Sequence, residues 1–156
     1  MIRNEAEYQE AHRRVVEDRK VAAAQRDALA AAGLLPEEVA RAMEPVLSFH
    51  AQLEEEIAWY ENVRRHNFPV IDRLTQVGRI LIAVRIAKGL SQRELAARLR
   101  VSESVVSRDE RNEYHGITLE RAQRILDALN AKVVGRVEVT PVPTPELSKE
   151  RELVAA

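Results

Sequence analysis

Between Gly89 and Asn112 the chain reads GLSQRELAARLRVSESVVSRDERN, and the second half of that stretch is dense in serine and arginine and poor in apolar residues. A helix from Ser102 to Arg111 would carry Glu103, Ser104, Ser107, Arg108 and Arg111 on its outside. Such a helix does not fill a core. Its hydroxyls are small enough to approach base edges, a guanidinium pairs bidentately with guanine, and a carboxylate can accept from the cytosine amino group. Arg108 is the best guanine donor of the set, Ser104 and Ser107 can bond to several bases, and Glu103 either accepts from cytosine or restrains Arg100 or Ser107. Arg93, Arg98, Arg100 and Arg111 are candidates for phosphate contacts, which fix register on a duplex without reading it.

Catalytic chemistry has no comparable footing. The four histidines, His12, His50, His66 and His115, lie in separate segments with no metal-ligand spacing and no pairing to a nucleophile. There is no cysteine, which excludes disulfides, thiolate chemistry and sulfur-ligated metals. No glycine-rich phosphate loop is present, and Glu54 to Glu56 read as a solvated helix face. The chain is therefore not expected to be an enzyme or to hold a metal or cofactor.

Charge is unevenly spread. Residues 1–72 carry 9 Lys/Arg against 14 Asp/Glu, whereas residues 73–113 carry 9 against 5, so an acidic front precedes a basic middle that contains the Ser/Arg-rich helix. A phosphate backbone is attracted by such local positive charge although the whole chain is only −1. The apolar run at Ile80 to Val84 is far too short to span a bilayer, and the N-terminus has no signal-peptide pattern. Cytoplasmic residence is the expectation.

The elements that must hold these residues are helical, as an Ala-, Leu-, Glu- and Arg-rich chain with 4% aromatics implies. Tyr8, Val15, Ala22 and Leu29, seven apart, predict a helix from Asn4 to about Ala32, ended by Gly33. Pro36 opens a second, on which Val39, Met43, Val46, His50, Leu53, Ile57 and Tyr60 form a heptad seam, with Pro45 predicting a kink or restart. His50, the one polar member, reads as a hydrogen-bonded core histidine. HNFPVID, His66 to Asp72, breaks the pattern and is the best boundary. Beyond it, Val77, Ile80, Leu81, Val84 and Ala87 recur at helical spacing up to Gly89. Ser91 and Glu94 make a capping box, Ser102 and Thr118 can cap two further helices, and Asn130 suits a left-handed stop. KVVGRVEV, Lys132 to Val139, alternates and is β-branched, predicting one strand, followed by a proline-rich disordered tail.

The block from about Thr75 to Leu129, above all RIAKGLSQRELAARLRVSESVVSRDERN, resembles the Cro and phage-repressor helix-turn-helix family. The resemblance implies sequence-specific binding of double-stranded DNA with Ser102 to Arg111 laid in the major groove. By family position Gln92, Glu103, Ser104 and Arg108 would read bases. Arg85 and Glu110 match two family positions that form a largely buried ion pair between the first and third helices of the domain. Two residues depart from the family pattern. Arg100 replaces the usual turn glycine, where a left-handed conformation costs on the order of 1 kcal/mol, and Asp109 stands at a usually apolar position. Ile2 to Asp18 is also similar to the N-terminal helix of HigA-like antitoxins, which implies as an alternative that the hairpin holds a toxin and the chain autoregulates its operon.

The expected architecture is thus all-α with one added strand. Residues 1–69 would be an antiparallel hairpin serving as dimer or partner module, 70–131 the helix-turn-helix domain and 132–156 strand and tail, with a fragment from Val70 to Ala156 expected to stay folded by itself. One reading helix contacts too few base pairs to be selective, so a homodimeric repressor on a roughly palindromic operator is expected, joined through the hairpin or through the strand.

Overall fold

The computed structural model describes residues 1–139. Two long helices come first: α1 is Glu5–Ala31 and α2 is Pro36–Arg64. Asn4 starts α1 by accepting the Glu7 amide at 2.9 Å, and the turn between the helices places Gly33 at φ +89°, where a side chain would be strained. At the head of α2 the Leu35 amide donates to the Glu38 carboxylate at 2.8 Å. α2 runs unbroken through Pro45 instead of restarting there. Pro45 is exposed, so the carbonyl its ring leaves unpaired meets water rather than the seam.

The two helices lie antiparallel along the seam read from the sequence. Ala11, Val15 and Ala22 are buried against Val39, Met43, His50, Ile57 and Tyr60. Tyr8 stacks on Tyr60 with ring centroids 5.0 Å apart and donates its hydroxyl hydrogen to Glu61 at 2.8 Å.

After the extended stretch that follows α2, a short 3-10 turn at Leu74–Gln76 leads into α3 (Val77–Ala87), α4 (Gln92–Leu99), α5 (Glu103–Arg111) and α6 (Leu119–Ala128). Ser91 and Glu94 close their capping box, the hydroxyl accepting the Glu94 amide at 3.1 Å and the carboxylate accepting the Ser91 amide at 2.7 Å. The Ser91 amide and hydroxyl, both donating to it, hold the Glu94 carboxyl below the usual carboxylate range. Thr118 caps α6 by accepting the Arg121 amide at 3.2 Å. Ser102 occupies the N-cap position of α5 without capping it: its hydroxyl lies 2.9 Å from that of Ser104.

One core runs through the molecule. Ile57, Tyr60 and Val63 at the end of α2 and Ile2 ahead of α1 are buried together with Leu81, Ile82, Leu95, Val106, Ile125 and Leu129. The break after α2 interrupts the helix and not the core. Gly78 in α3 makes this fit possible, because a Cβ there would lie 1.9 Å from the carbonyl oxygen of Glu113.

The expected strand is not formed. Lys132–Val139 is irregular, with Val134, Val137 and Val139 83–91% exposed, and the described residues contain no strand at all. Alternation makes a segment compatible with a sheet, but its backbone groups need a neighbouring strand, and an otherwise helical chain provides none. The tail predicted beyond it lies outside the described residues.

Candidate nucleic-acid interface

α4 and α5 cross over Ala96, which is 2% exposed, with Leu95 and Val106 buried beside it. A small residue at the crossing lets the two backbones approach. Arg100 makes the turn at φ 57°, in the left-handed region. The chain reverses there with the Val101 amide bonded to the Ala96 carbonyl at 3.0 Å and the Arg100 amide to Ala97 at 3.2 Å. These bonds satisfy the last carbonyls of α4 and offset the strain of a non-glycine residue.

The back of α5 is fixed by charge as well as by packing. Arg85 Nε lies 2.5 Å from Glu110 Oε1 and its Nη2 lies 2.7 Å from Oε2, with both residues at most 2% exposed. Two further guanidinium donors are used: Nη1 donates to the Leu90 carbonyl at 2.7 Å, and Nη2 donates to the Arg3 carbonyl at 2.9 Å. A buried pair needs such additional hydrogen bonds to compensate for lost hydration. Gln92, expected as a base reader, also turns inward and donates to Glu110 Oε2 at 2.7 Å.

On the outside of α5, Glu103, Ser104, Arg108 and Arg111 are exposed and Ser107 is half-buried. Arg108, Arg111 and Glu103 form no ion pair with a described residue. Arg93 and Arg100, at the start and end of α4, are exposed in the same way. Arg98 differs from the other phosphate candidates: its Nη1 donates to the Ala128 carbonyl at 3.0 Å, which ties α4 to the end of α6. Asp109, at the position where the family resemblance implies an apolar group, pairs with Arg121 of α6. Nothing in the local spacing marks this partner twelve residues away.

A polar cleft of about 520 Å3 opens beside the C-terminus of α5, lined by Thr75, Gln76, Arg79, Arg111, Asn112, Glu113 and His115. Arg79, Asn112 and His115 fall outside the two helices of the motif and were not among the residues expected at this surface, although the polar cluster just past α5 is visible in the sequence. Glu113 and Tyr114 are consecutive left-handed residues, at φ 49° and 54°. Tyr114 anchors this tight loop with its ring buried, and burial pushes its hydroxyl pKa up, with Glu110 and Asp109 adding to the shift.

Among the described residues no group of His, Asp or Glu is arranged to hold a metal ion, and no helix is long and apolar enough to cross a membrane. No curated protein and no solved structure matches the chain, so the similarity of Ile2 to Asp18 to HigA-like antitoxins stands without support. A family model described as helix-turn-helix matches residues 81–134, which span α3 to α6. Crossing helices over a small residue, a buried Arg–Glu pair behind the second of them and an exposed Ser/Arg face in front agree with that match, and residues 81–134 are a DNA-binding helix-turn-helix domain of the Cro and phage-repressor kind.

Proposed function

We propose that this protein is a sequence-specific transcriptional repressor that binds a roughly palindromic operator as a homodimer, with α5 in the major groove. The observation that carries the reading is the division of α5 into two faces. Val106 and Glu110 are held from behind, while Arg108 and Ser104 project from a helix that cannot rotate. A reading helix needs that rigidity, since base-edge hydrogen bonds tolerate little misplacement.

Arg108, Ser104, Ser107 and Glu103 are the proposed readers. Gln92 becomes a positioning residue, because its amide is spent on Glu110. Arg93, Arg100 and Arg111 are the proposed phosphate contacts, joined by Arg79 and His115 across the polar cleft. Arg98 is removed from that group by its bond to α6.

The test is to select a preferred duplex from random sequence and compare variants at one fixed salt. Arg108→Ala should cost about 1–3 kcal/mol on the selected site and relax one base position, whereas Arg93→Ala should weaken all duplexes alike and lower the salt slope by about 1. Equal losses for Arg108→Ala on selected and random DNA would remove it from the readers.

A further inference from the structure

The outer half of the hairpin extends away from α3 and has little core of its own. Only Ala22, Val39 and Met43 are buried there as a cluster, with Leu29, Leu34 and Val46 partly covered. Along one side of that thin seam runs an apolar groove of about 350 Å3 formed by Ala22, Ala23, Met43, Leu47 and Ala51. It continues past Leu47, which is 56% exposed, to Ala40. Its borders are charged and opposite: Arg19 and Arg26 on α1, Glu54 and Glu44 on α2, with Arg41 next to Glu44 and with Arg19 bonded to Glu54 of the same chain at 2.5 Å.

We infer that this groove is covered by the same groove of a second copy of the chain, forming a four-helix bundle. The inference rests on the dimeric reading proposed above and specifies its surface. For two reading helices to face one operator, both helix-turn-helix domains must lie at the same end of the dimer, so the two-fold axis runs along the hairpin. That axis sets each α1 against the partner's α2, with neighbouring helices antiparallel. Arg26 on the basic border of one copy then meets Glu44 on the acidic border of the other, the Arg19–Glu54 pairs of the two copies lie side by side with opposite charges facing, and alanines on the floor let the helices close. The opposite side of the hairpin fits less well. Phe49, 46% exposed, carries the Arg14 guanidinium over its ring at 4.9 Å, and Asp18 and Gln25 put polar groups beside it and Val21 without the matched basic and acidic borders of the other side.

The experiment uses the full chain in analytical ultracentrifugation, with DNA binding measured in parallel. Wild type should sediment as a dimer. Leu47→Glu should raise the dimer dissociation constant by about tenfold or more, while Phe49→Glu should leave it unchanged. Arg26→Glu, at an exposed position, should weaken the dimer even if Leu47→Glu fails to fold, and adding Glu44→Arg should restore it. A monomeric wild type, an unaffected Leu47→Glu or Arg26→Glu dimer, or a Phe49→Glu monomer overturns the inference. Loss of sequence preference by an intact dimer overturns the functional reading instead and leaves the interface standing.

Discussion

At the scale of single residues, the same charge chemistry has two different worths in this molecule. Arg85 and Glu110 are buried together, so Glu110→Ala would strand a guanidinium out of water and should cost about 3–5 kcal/mol. Asp109 and Arg121, partly exposed on neighbouring helices, should lose under about 1 kcal/mol in Asp109→Ala. Urea titrations of the two variants side by side check the contrast, and similar losses would mean that the Arg85 pair is not what holds α5. Sequence spacing could pair Arg85 with Glu110 through the family resemblance. It could not find the third and fourth members of that network, because the Arg3 carbonyl is 82 residues from Arg85 and any backbone oxygen looks alike in a sequence.

At the scale of elements, caps and periodicity were enough to outline the helices, and contacts between helices were not. Ser91, Thr118, Gly33 and Gly89 mark ends that chain-local chemistry determines, and Asn130 takes the left-handed stop expected of it at φ 47°. Gly78 carries no such local mark. In isolation Gly78→Ala should strengthen α3 by roughly 1 kcal/mol, but here the new methyl group meets the Glu113 backbone, which can yield only by disturbing two left-handed residues. The net result should be a destabilisation of about 1–3 kcal/mol, seen as a lower thermal midpoint. A higher midpoint would show that the loop after α5 yields easily.

The hairpin carries its own pH signature at the Tyr8–Glu61 contact. The Tyr8 hydroxyl, with further help from His12 and Arg65, holds the Glu61 carboxyl below the usual range, while Glu61 in turn raises Tyr8. A carboxyl depressed in the folded state contributes stability above its unfolded pKa, and that contribution is lost as pH falls through the folded pKa. Tyr8→Phe should therefore move the Glu61 titration upward and flatten the acid limb of stability. Carboxyl chemical shifts followed from neutral to acid pH report it directly, and an unmoved titration would assign the shift to other neighbours.

At the scale of the whole molecule, the break at His66 to Asp72 is a poor guide to what can be separated. Residues on both sides share one core, so a fragment beginning at Val70 would lose the cover given by Ile2, Ile57, Tyr60 and Val63. At about 1.5–3 kcal/mol for each fully buried apolar side chain, that loss is comparable to a domain's total margin of about 5–15 kcal/mol. The fragment should melt broadly and well below the intact chain by circular dichroism, and a sharp melt at the parent's midpoint would restore the modular view suggested by the helix break. The sequence showed an apolar stripe on α3 and a seam on α2 but could not show that the end of one packs on the other.

Arg85 donates to the carbonyl of Arg3, with Ile2 buried alongside, so residues made more than 100 positions before Glu110 find their place only once it is available. The hairpin can form from nearby contacts while synthesis continues. Its foot cannot dock until Glu110 has emerged, more than 100 residues after Ile2, which at about 5–20 residues per second is a delay of several seconds. During that interval Ile2, Ile57 and Val63 lack the cover of α3 to α6, and the nascent chain presents an apolar surface that a neighbouring nascent chain can reach. A pause placed after residue 64 should lengthen this exposure, whereas one placed once Glu110 has cleared the ribosome should not.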